Sequence, residues 1–136
     1  MIKISLLRDY ENISGNGNYC LPTIISTSKN SDIHGREFFG PVMAVYSFKD
    51  EKEAISLANN TIYGLAAGLW TSSMEWAERV AGKLEAGTVW INEYRLFSAA
   101  APRGGFKFIG IGREPGLEGI LEYTLARHLF YGNNES

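Results

Sequence analysis

V-M-A-V-Y-S-F at residues 42–48 is followed by D-E-K-E-A-I-S-L-A-N-N at 50–60, L-A-A-G-L-W-T at 65–71, M-E-W-A-E-R-V-A-G-K-L-E at 74–85 and T-V-W-I-N at 88–92. The first block is a nearly continuous apolar run, the pattern of a strand buried on both faces. The second opens on Asp50 with Glu53 three residues on, a capping-box spacing, and places Ala54, Leu57 and Ala58 on one helical face. Residues 65–71 read as a strand. Ser73 caps a helix over 74–85 in which Ala77, Val80, Ala81 and Leu84 repeat at helical spacing. Glu75 and Glu78 lie early in that helix and Arg79 and Lys83 late, which suits the macrodipole, and Gly87 is its natural terminator. Residues 88–92 are again strand.

Outward from this block, Y-C-L-P-T-I-I-S-T at 19–27 is rich in β-formers and reads as a strand with Pro22 near its start. Residues 28–41 are irregular. Residues 1–17 form a short apolar start and a polar Asn/Gly loop. Downstream, a glycine-rich connection leads to Pro115, which suits the first turn of a helix ending near Tyr123. Leu125–Tyr131 has β character, and residues 132–136 form a frayed polar end. Strands alternating with helices predict the α/β class with a mostly parallel sheet.

Composition excludes several functions. The chain of 136 residues carries 13 basic and 15 acidic side chains, a net of −2, with the basic ones scattered. That charge gives neither nucleic acid nor an anionic membrane a footprint. No apolar run approaches the ~20 residues of a membrane span. The single cysteine, Cys20, allows no intrachain disulfide and fits a reducing, cytoplasmic setting.

Few residues announce chemistry. Cys20 sits in an apolar strand with no histidine nearby and reads as a small core residue. His34 and His128 lack a second ligand at metal spacing. Gly110-Ile111-Gly112-Arg113-Glu114-Pro115-Gly116 departs from the dinucleotide fingerprint and reads as a tight turn into a helix. Glu37-Phe38-Phe39-Gly40-Pro41 has two readings. One is an exposed glutamate before a buried Phe-Gly-Pro turn. The other is a carboxylate that accepts both hydroxyls of a ribose, with an aromatic two residues on to pack against a flat ring.

Taken together and in order, these stretches resemble the aldehyde dehydrogenase superfamily over residues 17–131. Asn18–Thr23 is similar to its aromatic-x-x-Pro-Thr strand, and Glu37–Val42 to its E-I-F-G-P-V motif. Ala54–Trp70 contains the A-N-x-T-x-Y-G-L-A-A pattern, and Glu85–Asn92 resembles A-G-T-V-W-I-N. Gly104–Lys107 with Gly110–Glu114 resembles G-G-Y-K-x-S-G-x-G-R-E. The resemblance implies NAD or NADP as cofactor, with Glu37 on the nicotinamide ribose and Phe39 beside the nicotinamide ring. It implies Glu114 in a proton path near the active site; a carboxylate stabilising the following helix is the alternative.

The family's dinucleotide domain and nucleophilic cysteine lie upstream of everything matched here, and Cys20 falls on the Pro-Thr strand. The resemblance therefore implies a catalytic-domain piece over 18–124, an oligomerisation-type strand and tail over 125–136, an extension over 1–17, and no activity from this chain alone. Three roles follow: part of an enzyme completed by an N-terminal aldehyde dehydrogenase polypeptide, an interaction module forming a homodimer, or a weak nucleotide sensor. The chain departs from the family pattern at Arg36, which stands where the family has an acid and adjoins the ribose carboxylate, and at Arg103, which replaces an aromatic beside the substrate tunnel. Ile109 and Pro115 replace a serine and a leucine.

Overall fold

The computed structural model describes residues 3–6, 16–28 and 30–132. Strands β1 (Lys3–Leu6), β2 (Thr23–Ser26) and β3 (Val42–Val45) form one sheet in that order, β1 antiparallel and β3 parallel to β2. Helix α1 (Glu51–Asn59) follows, then β4 (Tyr63–Gly64), β5 (Ala66–Leu69), helix α2 (Met74–Ala81) and β6 (Thr88–Ile91). Strands β5 and β6 pair in parallel from Ala66↔Thr88 to Leu69↔Ile91, with α2 as the crossover between them. The two-residue β7 (Phe106–Lys107) pairs antiparallel with β4, and α3 (Leu117–Leu121) ends the regular structure. The α/β class stands, with its parallel pairs distributed over small sheets among the described residues.

Local chemistry sets the helix ends. Asp50 accepts from the Glu53 N–H at 2.8 Å, as the spacing predicts, and the Glu53 carboxylate accepts from the Lys49 N–H at 3.1 Å. The return half of the box thus reaches the residue before the cap. Ser73 caps α2 through the Trp76 N–H at 3.2 Å. Gly82, not Gly87, ends α2, because the chain turns at once to reach β6. Gly87 serves a close backbone crossing instead: a Cβ there would collide with the Gly104 carbonyl.

The core lies between β5–β6 and the two helices. Among the described residues the buried apolar side chains are Leu69, Ala77 and Val80, with Ile55, Trp76 and Val89 packed around them. Helix α1 contributes Ile55 rather than the expected face through Ala58, which is exposed. Asn59 fastens its C-terminus: the side-chain amide donates to the Lys83 carbonyl at 2.8 Å and accepts from the Glu85 N–H at 2.9 Å. Asn92 (φ 54°) donates to the Thr71 carbonyl and accepts from the Thr71 N–H, both at 2.8 Å, so a side-chain amide extends the β5–β6 ladder by one step.

Glu51 clamps α1 to α2. It accepts from Arg79 Nη2 at 2.8 Å and from Lys83 Nζ at 3.2 Å. The hydrogen bond from Arg79, then that from Lys83, lowers its pKa from the ordinary 4.5 to about 2, while desolvation opposes the shift. A depressed folded pKa stabilises the fold above the unfolded value and loses that contribution as the pH falls through the folded one. Acid titration followed by circular dichroism is therefore expected to show wild type more stable than Glu51→Gln above pH 4.5, with the gap closing toward about 2. A gap independent of pH would remove the clamp.

Several sequence expectations are corrected. Strand β3 alternates in exposure rather than being buried on both faces, with Met43 and Val45 on the open side. Cys20 is exposed, not a core residue, because the chain reaches the sheet only at Thr23. Helix α3 starts at Leu117, two residues beyond Pro115, with Gly116 at its N-cap. Residues 125–131 form no strand and are exposed, since no neighbouring edge among the described residues offers them a partner. Lys3–Leu6, read only as a short apolar start, is a strand. The frayed end expected beyond Gly132 lies outside the described residues.

Candidate functional site

Glu37 and Phe39 lie on the irregular segment that leads into β3. The chain turns over Ser31–Arg36, with the His34 N–H donating to the Ser31 carbonyl at 2.9 Å and the Arg36 N–H to that of Ile33 at 3.2 Å. Gly35 (φ 77°) then redirects the chain. Glu37 lines a cleft of about 300 Å³ whose other walls include Thr61, Leu65, Glu85 and Ile109. The Phe39 ring is 97% exposed, so a flat ligand has open access to its face. This overturns the reading of a buried Phe-Gly-Pro turn. Among the described residues no ion pair joins Arg36 to Glu37.

Glu114 lies across the molecule's glycine-rich face. Its N–H bonds the Arg103 carbonyl at 2.6 Å, an isolated antiparallel bridge that brings the two ends of segment 103–114 together. Its exposed side chain lines a cleft of about 500 Å³ with Arg103, Arg113, Glu122, Leu65 and Ile109. Leu65 and Ile109 therefore form a wall common to the Glu37 and Glu114 clefts. Residues 77 apart in sequence number thus face adjoining hollows.

Sequence reasoning missed two features. The first is Lys107, whose ammonium donates to the carbonyls of Asn59 at 2.7 Å and Thr61 at 3.1 Å and pairs with Glu85 at 2.6 Å. It satisfies the carbonyl end of α1 and closes the floor between β4 and β7. The second is an aromatic platform on the segment after β6. The Trp90 indole donates to the Leu96 carbonyl at 2.8 Å and meets the Tyr94 and Phe97 rings edge-on at 5.1 and 5.3 Å. Arg103 lies over the Phe97 ring at 4.5 Å, and Arg95 over Tyr94 at 5.4 Å. No periodicity marks either feature; the only signal was the cluster of aromatic and basic residues between T-V-W-I-N and Gly-Gly.

The aldehyde dehydrogenase family model matches residues 3–129. The chain belongs to the aldehyde dehydrogenase family. It is 49% identical to a betaine aldehyde dehydrogenase of Bacillus subtilis over 117 residues, which cover 85% of this chain and 24% of that protein. An aldehyde dehydrogenase of Emericella nidulans is 45% identical over 86% of this chain and 24% of its own length. Among solved structures, an apo mutant betaine aldehyde dehydrogenase from Staphylococcus aureus superposes with a TM-score of 0.80 at 45% identity, covering 85% of this chain and 23% of that one. A mutant of that enzyme in complex with NAD+ superposes at 0.85 and 39% identity, covering 98% and 28%. The aldehyde dehydrogenase chain described here thus spans about a quarter of the length of the relatives it matches. Among the described residues no helix is long and apolar enough to cross a membrane, and no group of three or more metal-ligating side chains occurs.

Proposed function

We propose that this chain supplies one wall of an NAD(P)-dependent, aldehyde-oxidising active site, docked against polypeptide that carries the nucleophilic cysteine and the dinucleotide domain. The observation that carries the reading is the common Leu65–Ile109 wall, which brings the Glu37 cleft beside the Glu114 cleft. Glu37 would accept hydroxyls of the nicotinamide ribose and the open Phe39 face would pack on the nicotinamide ring. The bound cofactor supplies the hydride acceptor. Glu114 would pass protons to and from water in its cleft.

The exposed area supports docking. The accessible surface is 11398 Å², whereas a compact chain of this size exposes about 7,000 Å². Met43, Val45 and Phe39 lie on that exposed surface.

The test recombines this chain with the preceding three-quarters of a relative and follows NADH formation from an aldehyde. Activity is expected only in the mixture, with Glu37→Gln raising the cofactor KM about tenfold, the worth of one charged hydrogen bond. A mixture that forms a complex yet stays inert would defeat the reading. A second reading rests on the apolar segment 125–131, where Leu125 and Phe130 are 97% and 88% exposed. In a homodimer it would add a strand to a second copy. Deleting residues 125–136 is then expected to leave a monomer in light scattering.

The relatives' substrate need not carry over. Betaine aldehyde bears a quaternary ammonium, which binds best on open aromatic faces. Here guanidinium groups already lie on Phe97 and Tyr94.

A further inference from the structure

We infer that Arg103, seated on Phe97, is a specificity-determining residue that receives the carboxylate of an aldehyde substrate. The inference rests on the proposed aldehyde-oxidising role and names the substrate class of the same cleft. The platform is fixed before any ligand arrives. Trp90 is tied to Leu96 by its indole N–H and braces Phe97 edge-on, and Phe97 carries the guanidinium at 4.5 Å. The backbone bridge from Arg103 to Glu114 holds the base of that side chain at the rim of the 500 Å³ cleft.

A guanidinium held over an aromatic ring still offers the N–H groups on its outer edge, and such a pair of donors matches a carboxylate in two parallel hydrogen bonds. Among the described residues no carboxylate lies within ion-pair distance of Arg103. Glu114 shares the cleft without an ion pair to Arg103, and two further acids are otherwise placed. The Glu93 carboxylate accepts the Tyr94 N–H at 2.9 Å, and Glu122 packs against Gly112 across the cleft. Arg113 lines the same cleft but lies over Phe106 at 5.7 Å, away from the Trp90–Phe97 platform. A cation held over Phe97 at the cleft, with no ion-pair partner among the described residues, selects a ligand that is anionic at one end.

The experiment titrates the full chain, without cofactor, with 4-formylbenzoate, 4-formylbenzamide and a trimethylammonium-substituted benzaldehyde, reading tryptophan fluorescence. The carboxylate is expected to bind at least about tenfold tighter than the amide, the value of a charged bidentate contact, and the cation weakest. Arg103→Gln should erase that preference with the amide affinity unchanged, Arg103→Lys should keep part of it, and Arg113→Gln should leave it intact. Equal binding of carboxylate and amide, a preference that survives both Arg103 variants, or no saturable binding of any probe would overturn the inference. Because the titration needs neither nucleophile nor dinucleotide domain, its result separates from the recombination assay. An Arg103-dependent preference beside an inert recombined enzyme would sustain this site and sink the catalytic role.

Discussion

Replacing Lys107 by methionine is expected to destabilise the chain by about 2–3 kcal/mol, read as a lower urea midpoint at unchanged slope. Methionine keeps the apolar stem and removes the ammonium. Two carbonyls at the exit of α1, those of Asn59 and Thr61, then lose a charged donor, and Glu85 loses its counter-ion. The two kinds of contact are not equal. The Glu85 side chain is 57% exposed, so solvent screens its pair with Lys107, and Glu85→Gln should cost well under ~1 kcal/mol. The carbonyls face the end of a helix, where cations are favoured by the dipole and unfilled acceptors are penalised. Equal losses from the two substitutions would show that the ion pair, not the helix end, is what Lys107 serves.

The second large effect is expected at Leu69. Leu69→Ala should cost about 3 kcal/mol, because it opens a cavity between β5 and α2. The core that surrounds it is small: Leu69, Ala77 and Val80, completed by part-buried neighbours such as Ile55 and Val89. Such a core has little apolar area with which to close over a void, so the variant is expected to melt several degrees lower and with a broader transition. Met43→Ala on the open face of β3 is the contrast. Met43 is 53% exposed, so the chain itself should lose no more than about 0.5 kcal/mol. Docking of the complementing polypeptide proposed above should weaken instead. A Met43 variant as unstable as the Leu69 one would mean that the β3 face is already covered within this chain.

The parts of the fold legible in the sequence are those fixed by neighbours in the chain. Asp50 and Ser73 are visible caps because each side chain needs only an N–H three residues ahead. The 74–81 periodicity found Ala77 and Val80 because α2 packs on the strands that flank it. Strand β3 misled because continuous apolarity reports the burial a segment reaches in its final assembly, whereas this chain leaves one side of it open. The same holds for 125–131, whose β character has no edge to join among the described residues. Lys3–Leu6 was legible only as an apolar start because a lone short strand is defined by its partner, β2, rather than by its own pattern. For the site, the motif order pointed to Glu37, Phe39 and Glu114, and no spacing rule could have joined them. The adjacency of the Glu37 and Glu114 clefts depends on Leu65 and Ile109, two ordinary apolar residues whose role is positional. Lys107 and the Phe97–Arg103 stack stayed hidden for a related reason: each acts across long sequence distance or across a loop of irregular shape.

Asn92 leaves a mark on how such a chain can diversify. Its amide closes the β5–β6 ladder, and the Arg103–Glu114 bridge receives the chain again on the far side. Departure and return of segment 93–102 are thereby set by residues outside it. The segment behaves as an exchangeable insert on a fixed mount. Substitutions within it can change the surface it presents while the core keeps its packing, so that surface and foldability can drift independently along one stretch of polypeptide.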